Sequence, residues 1–294
     1  MANQELQDQE ALNREAIEVH RRNRGKLQTR SKIPVRTPKD LSIAYTPGVA
    51  AVCLEIKADV NKVYELTGKG NTIVVVTDGS AVLGLGNIGA EAAMPVMEGK
   101  CILFKELAGV DAFPLCLRTQ KSEEIINIVR NIAPGLGGIN LEDIAAPRCF
   151  EIDEALQDIG IPVFHDDQHG TAIVVLAAMI NAAKVLGKNL ADLSVVLNGA
   201  GASGIACAKL MLGVGFEKKI DPLVKSVILC DSKGILHPDR TDLNPAKQEI
   251  TKITNLERIQ GGLAEAMKGR DIFIGLSVGE CVTKEMVRSM APDP

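Results

Sequence analysis

The chain has no tryptophan, two tyrosines and six phenylalanines among its 294 residues. So few rings exclude a surface that stacks unpaired bases, and they leave any core to aliphatic packing. An excess of positive charge is also missing: 33 Lys and Arg stand against 37 Asp and Glu, for a net charge of −4 and a pI near 5.7. Nucleic acid is therefore not an expected partner, and the basic cluster His20–Arg24 reads as the solvated end of a helix. The seven cysteines are odd in number and lack a C-x-x-C pair, which predicts free thiols in a reducing, cytoplasmic setting. The N-terminus lacks the basic-then-apolar order of a signal peptide, and no uninterrupted apolar run reaches the roughly 18 residues of a membrane span, so no membrane association is expected.

What is present is length and alternation. A chain of 294 residues can bury two cores. Residues 1–30 carry Leu6, Leu12, Ile17 and Val19 at helical spacing and predict a surface or dimer-facing helix, followed by an irregular, proline-bearing stretch from Lys32 to Gly48. From Thr72 onward short apolar strands alternate with helices: strands at 73–77, 112–117, 137–141 and 162–164, helices at 89–107, 122–132 and 146–159. A second series follows: a helix at 171–186, strand 193–197, helix 205–212, strand 227–230, a polar connection through Pro245, a helix at 256–267 and strand 272–276. Continuous apolar strands separated by helices predict an α/β fold with parallel sheet, in two domains, 1–164 and 165–294. The second is doubly wound and stops after one and a half turns. Between them lies Pro162–Thr171, whose strand runs into the paired carboxylates Asp166 and Asp167.

Two segments match G-x-G-x-x-G, at Gly84–Gly89 and at Gly199-Ala200-Gly201-Ala202-Ser203-Gly204. The second follows a strand directly and opens a helix whose amides can receive a pyrophosphate. The next strand ends in Asp231, placed to bond a ribose hydroxyl, with the stretch Gly213–Lys225 accounting for the long spacing between them. The first is separated from its strand by several residues and reads as a tight turn, with a phosphate contact as the alternative. Glu142-Asp143 and Asp166-Asp167 both sit at strand ends and offer oxygen ligands for Mg²⁺ or Mn²⁺, although such acids also cap helices. His165 and His169 without a third nitrogen or a thiol make a poor zinc set. Lys100, among apolar neighbours, is either a desolvated base or a lysine that snorkels to the surface. Tyr45, just before a Thr-Pro-Gly turn, is either a structural ring or a positioned hydroxyl.

Taken together, Tyr45-Thr-Pro-Gly-Val49, Thr77–Gly89, Glu98-Gly-Lys100, Asn140-Leu-Glu-Asp143, Phe164–Thr171 and the Gly199 loop resemble the malic enzymes in their compact prokaryotic form, from about Ile33 to Met290. The resemblance implies a malic-type α/β domain followed by a Rossmann-like domain, and oxidation of L-malate by NAD⁺ or NADP⁺ with loss of CO₂ to give pyruvate. By it, Lys100 is the base for the C2 hydroxyl, Tyr45 protonates C3, and Glu142, Asp143 and Asp167 hold Mg²⁺ or Mn²⁺. Asp166 supports the proton path, and the chain forms a homodimer or larger homo-oligomer. Position 81, an arginine in larger members, is Ala81 here, and the family's later Asn-Pro and Asn-rich phrases have no counterpart before Pro294, so a carboxyl-terminal part is expected to be missing. Two narrower expectations are metal-dependent decarboxylation of oxaloacetate alone and a non-catalytic nucleotide-binding or dimerisation partner. Cofactor choice is balanced between Asp231, which favours a free 2′-hydroxyl, and Lys233, which can meet a 2′-phosphate.

Overall fold

The computed structural model describes residues 2–215 and 220–294. The side chain of Leu6, and residues 216–219 of the stretch Gly213–Lys225, lie outside the described residues. The chain divides into two compact units. The first runs to Ile144 and takes in Ala155–Val163, while the second holds Ala145–Glu154 and everything from Phe164.

In the first unit α1 (Ala2–Asn23) ends on His20, Arg21 and Arg22, cations that suit the negative end of a helix. The stretch after it is more helical than its prolines suggest, with α2 (Pro38–Ala44), α3 (Val49–Ala58) and α4 (Val63–Leu66). The reason is local: Thr37 and Asp40 form a reciprocal capping box, and Pro38 occupies the first helical turn, where a missing N–H costs nothing.

The sheet order is β2-β1-β3-β4. Strand β1 (Thr72–Thr77) lies parallel to both β2 (Asp111–Cys116) and β3 (Gly138–Leu141), and β4 spans Val163–His165. Val74, Val75 and Val76 are fully buried, as a run of β-branched residues in a central strand should be. Helix α5 (Ala90–Ala108) packs Met97 and Cys101 on Val75 and stops at Gly109 in a left-handed cap. Helix α6 (Ser122–Ile132) buries Ile125 and Val129, four residues apart on one face. Lys69 is buried, and its ammonium donates to the carbonyls of Ala133, Pro134 and Leu136 at 3.1, 2.9 and 2.7 Å, which braces the turn that feeds β3.

The second unit starts with α7 (Arg148–Ala155), shorter than the helix expected over 146–159 because the chain enters through Pro147 and turns after Ala155. Helix α8 (Thr171–Leu186) continues from a wide π-type turn at Asp166–Gly170 and ends at Gly187, again left-handed. The second sheet has the order β7-β6-β5-β8. Strand β5 (Ser194–Asn198) lies between parallel neighbours β6 (Ser226–Asp231) and β8 (Ile272–Gly275), and β7 (Gly234–Ile235) closes one edge antiparallel. Helix α9 (Ala202–Met211) buries Ile205, Cys207, Ala208 and Met211 against Val195, Leu197 and Leu229.

Two expectations are corrected here. The connection through Pro245 is helical, α10 (Pro245–Thr251), capped by Asn244. The helix expected over 256–267 shrinks to α11 (Leu263–Met267), because Asn255 and Arg258 take left-handed φ of 47° and 56°. Asn255 is held there by hydrogen bonds to Leu236 and Ile259. A short α12 (Lys284–Arg288) follows.

By length and composition, the stretches Pro38–Ala58 and Asp166–Leu186 could each cross a membrane. The first is broken by the turn between α2 and α3, and the second buries Ala172 and Met179 in the core of its own unit.

Candidate active site

In the first unit the chemistry collects at the carboxyl end of β3. Asn140 and Glu142 alternate with Leu141, so their side chains share one face. Asn140 Nδ2 donates to Glu142 Oε2 at 2.8 Å, and Lys100 Nζ lies 3.1 Å from Glu142 Oε1. The Glu142 side chain is 7% exposed and that of Lys100 21%, so the pair is largely desolvated and each charge is worth more to the other than in water. Lys100 thus turns from its apolar helix toward a strand-end acid, rather than snorkelling outward.

Asp143, also buried, has φ of 54°, a conformation that Asp tolerates better than most residues. Its carbonyl accepts the N–H of Ala81 at 2.9 Å. Ala81 therefore serves this site through its backbone, and the preceding turn presents it. Gly79 has φ of 67° and donates to Thr77 Oγ1, while Ser80 binds Asp78 through both its N–H and its hydroxyl. A Cβ at Gly79 would fall 2.3 Å from the Gly89 carbonyl, which fixes glycine at that corner. Asn140 joins the site through Glu142, and its alternation with that acid along a strand is the sequence signal for it. Tyr45, at the C-cap of α2, is two-thirds exposed, and its hydroxyl makes no hydrogen bond among the described residues.

In the second unit Asp166 and Asp167 open the π-type turn. A Cβ at Gly170 would lie 2.3 Å from Asp166 Oδ1, so glycine leaves room for that carboxylate. His165 is fully buried, its Nδ1 is 4.0 Å from Asp167 Oδ2, and burial pushes its imidazole down to about 4, so it is neutral at pH 7. His169 Nε2 lies 3.5 Å from Asp153 and its Nδ1 faces the N–H of His165. The histidines flank the acids and shape their turn.

The Gly199 loop has the geometry of a phosphate cradle. Gly199 takes φ of 135° with Leu276 O only 2.7 Å from where its Cβ would be, and a Cβ at Gly204 would meet Gly199 O at 1.8 Å. Side chains at either position are sterically forbidden, and the amides of Gly201, Ala202 and Ser203 stay open at the start of α9. A cavity of about 700 Å³ runs from Asn198, Gly199 and Gly201 to Asp231 and Lys247. The acid expected to receive a ribose hydroxyl is heavily engaged. Asp231 Oδ1 accepts from Arg240 Nη1 and the Lys233 N–H, both at 2.9 Å; Oδ2 accepts from Arg240 Nη2 at 3.2 Å and Lys247 Nζ at 2.6 Å. Burial alone would raise its pKa, but these donors hold the carboxyl down at about 2. By contrast, Gly84–Gly89 is a turn: Val82 and Gly86 bridge antiparallel, and Leu83 and Leu85 project into solvent.

Residues 24–124 match the family described as the N-terminal domain of malic enzyme, and residues 168–293 its NAD binding domain. The chain is 53% identical over 286 residues to the bifunctional malic/malolactic enzyme of Bacillus subtilis, covering 97% of this chain and 68% of that protein. It is 55% identical over 271 residues to the NAD-dependent malic enzyme of Geobacillus stearothermophilus, covering 92% of this chain and 55% of that protein. The crystal structure of the NAD-dependent malic enzyme of Thermotoga maritima superposes with a TM-score of 0.88 at 48% identity, over 94% of this chain and 72% of that one. A largely desolvated lysine–glutamate pair at a strand end, a glycine cradle after β5 and these matches across both units converge on one assignment: the chain belongs to the malic enzyme family.

Proposed function

We propose that this chain supports the oxidative decarboxylation of L-malate to pyruvate and CO₂ with NAD⁺ or NADP⁺ as acceptor and a divalent cation, Mg²⁺ or Mn²⁺. The observation that carries this reading is the Lys100–Glu142 contact, which sets an amine beside a buried carboxylate where a hydroxyl proton can be taken up. When bound, the nicotinamide accepts the hydride and the cation withdraws charge from the substrate oxygens.

The residues fit that cation in donor chemistry. Glu142, Asp143 and Asp167 are all carboxylates, the hard oxygen set that Mg²⁺ and Mn²⁺ prefer, and His169 is turned toward Asp153 and the His165 N–H. Lys100 takes the C2 hydroxyl proton, Asp166 passes it onward, and Tyr45 delivers a proton to C3 once CO₂ has left. The amides of Gly201, Ala202 and Ser203 orient the pyrophosphate, with Gly199, Ala200 and Gly204 shaping the turn and Asp231 the adenosine end. Seven free cysteines, four of them buried, suit a reducing compartment such as the cytoplasm.

The test follows reduction of NAD⁺ and NADP⁺ on addition of L-malate and Mn²⁺. Formation of NADH or NADPH with pyruvate in equal amounts supports the reading. Nucleotide binding without turnover sinks it for this chain, and loss of oxaloacetate without nucleotide reduction replaces it with simple decarboxylation.

A further inference from the structure

In the sheet order β7-β6-β5-β8, the glycine cradle at the end of β5 has Asp231, at the end of β6, on one side and the loop after β8 on the other. A dinucleotide with its pyrophosphate on the cradle and its adenosine at Asp231 therefore extends its second half toward residues 277–281. Ser277, Val278 and Cys281 line the same cavity of about 700 Å³ as Gly199, Gly201 and Asp231.

That loop has little of its own to hold it. The last bond along the strand pair runs from the Leu276 N–H to Asn198 O at 2.8 Å. Among the described residues, no backbone hydrogen bond ties 277–282 to another part of the unit. The chain is next fixed where Val282 packs on the cluster of Val196 and Ile228, and where Thr283 caps α12. Between those points Ser277–Glu280 are exposed, and Glu280 takes a left-handed φ of 56°.

Asn198 supplies the missing tie. It is the last residue of β5, directly before Gly199, and is 8% exposed. Its Nδ2 donates to Ser277 Oγ and to Cys281 Sγ, each at 3.1 Å, so one amide clasps both ends of the loop. Val195, Val196 and Leu197 before it are apolar and buried, whereas a buried amide is favourable only with partners. Both acceptors of its Nδ2 are on this loop.

We infer that Asn198 is a positioning residue of the nucleotide site: it holds 277–281 against the cradle, so that the loop walls the half of the dinucleotide beyond the pyrophosphate. The inference rests on the nucleotide cradle of the proposed function and not on the oxidation of malate. Cys281 makes the clasp readable, because its sulfur accepts from that amide and its residue lines the cavity.

The experiment uses the full chain. Asn198→Leu keeps the volume and removes the donor, and Ser277→Ala removes one acceptor. By calorimetry, Asn198→Leu should weaken NADH and NADPH by about tenfold. AMP and adenosine 2′,5′-bisphosphate, which need only the adenosine end, should stay within about twofold. Ser277→Ala should weaken the dinucleotides by about threefold, and the double variant no more than Asn198→Leu alone, since the two side chains share one contact. Iodoacetamide labelling of Cys281, read by mass spectrometry against the exposed Cys53, should be at least about threefold faster in Asn198→Leu, and NADH should slow it in the parent.

A folded Asn198→Leu chain that binds dinucleotides like the parent, or that loses the adenosine ligands equally, overturns the inference. If dichroism shows that variant unfolded, Ser277→Ala decides by the same comparison of dinucleotide with adenosine ligand. A parent that binds none of these ligands sinks the cradle, while labelling rates without nucleotide still decide whether Asn198 fastens the loop.

Discussion

Lys100 Nζ and Glu142 Oε1 stand 3.1 Å apart, joining the middle of α5 to the end of β3. Lys100→Met keeps the length of the stem and removes the amine. Malate oxidation should fall by about 10²–10⁴, the usual worth of a positioned base, while nucleotide affinity stays within experimental error. Steady-state kinetics beside nucleotide titration check this, and unchanged turnover would remove Lys100 from the chemistry.

Asp143 separates charge from backbone. Asn also tolerates its φ of 54°, so Asp143→Asn should lower Mn²⁺ affinity and leave the melting temperature almost unchanged. Asp143→Ala should lose both, with a further cost of about 1–2 kcal/mol for the left-handed backbone. Calorimetric Mn²⁺ titration and thermal melts of the two variants distinguish the contributions.

Gly204→Ala places a methyl 1.8 Å from the Gly199 carbonyl, a contact that only backbone movement can relieve. The variant should lose nucleotide binding and be destabilised by about 1–3 kcal/mol, as overpacked sites are. Gly215→Ala is a poor control because that glycine also has positive φ, whereas Gly201→Ala meets nothing within 4 Å and should fold normally. Denaturant titration with and without nucleotide is the measurement.

Asp231 has a depressed folded pKa of about 2 despite its burial, so its ionised form stabilises the fold. That contribution is complete above the ordinary carboxylate pKa and is lost as pH falls from about 4 toward 2. Asp231→Asn should be less stable at neutral pH and show a shallower acid transition across that window, followed by dichroism.

Lys247 is the donor on Asp231 that a bound nucleotide can most readily displace, because Arg240 is held by Asp242 as well. A 2′-phosphate would give the displaced ammonium a new partner, and a 2′-hydroxyl would not. Lys247→Met should therefore weaken NADP⁺ by about tenfold or more and change NAD⁺ little, which a comparison of the two dissociation constants tests.

The parallel sheets and the nucleotide cradle were legible because their signals are local. The run Thr72–Thr77 can only be a buried strand, and Gly199–Gly204 follows its strand without a gap. Helices α2 and α10 were missed because Pro38 and Pro245 read as breaks, although each sits where a helix accepts proline. The helix over 256–267 was overdrawn because nothing in its hydrophobic spacing announces the left-handed Asn255 and Arg258. At the site, residue types were readable but partners were not. The bonds from Arg240 and Lys247 to Asp231 span 9 and 16 residues, and the backbone bond from Ala81 to Asp143 is invisible to any reading of side chains.

The brace at Lys69 has a chemical consequence. All three protons of its ammonium point at carbonyl oxygens inside the first unit, so the nitrogen lone pair that an acylating reagent needs is exposed only when the turn at 133–136 opens. Amine-directed labelling should thus leave Lys69 until last, and the moment of its reaction marks the opening of the strand that ends in Glu142.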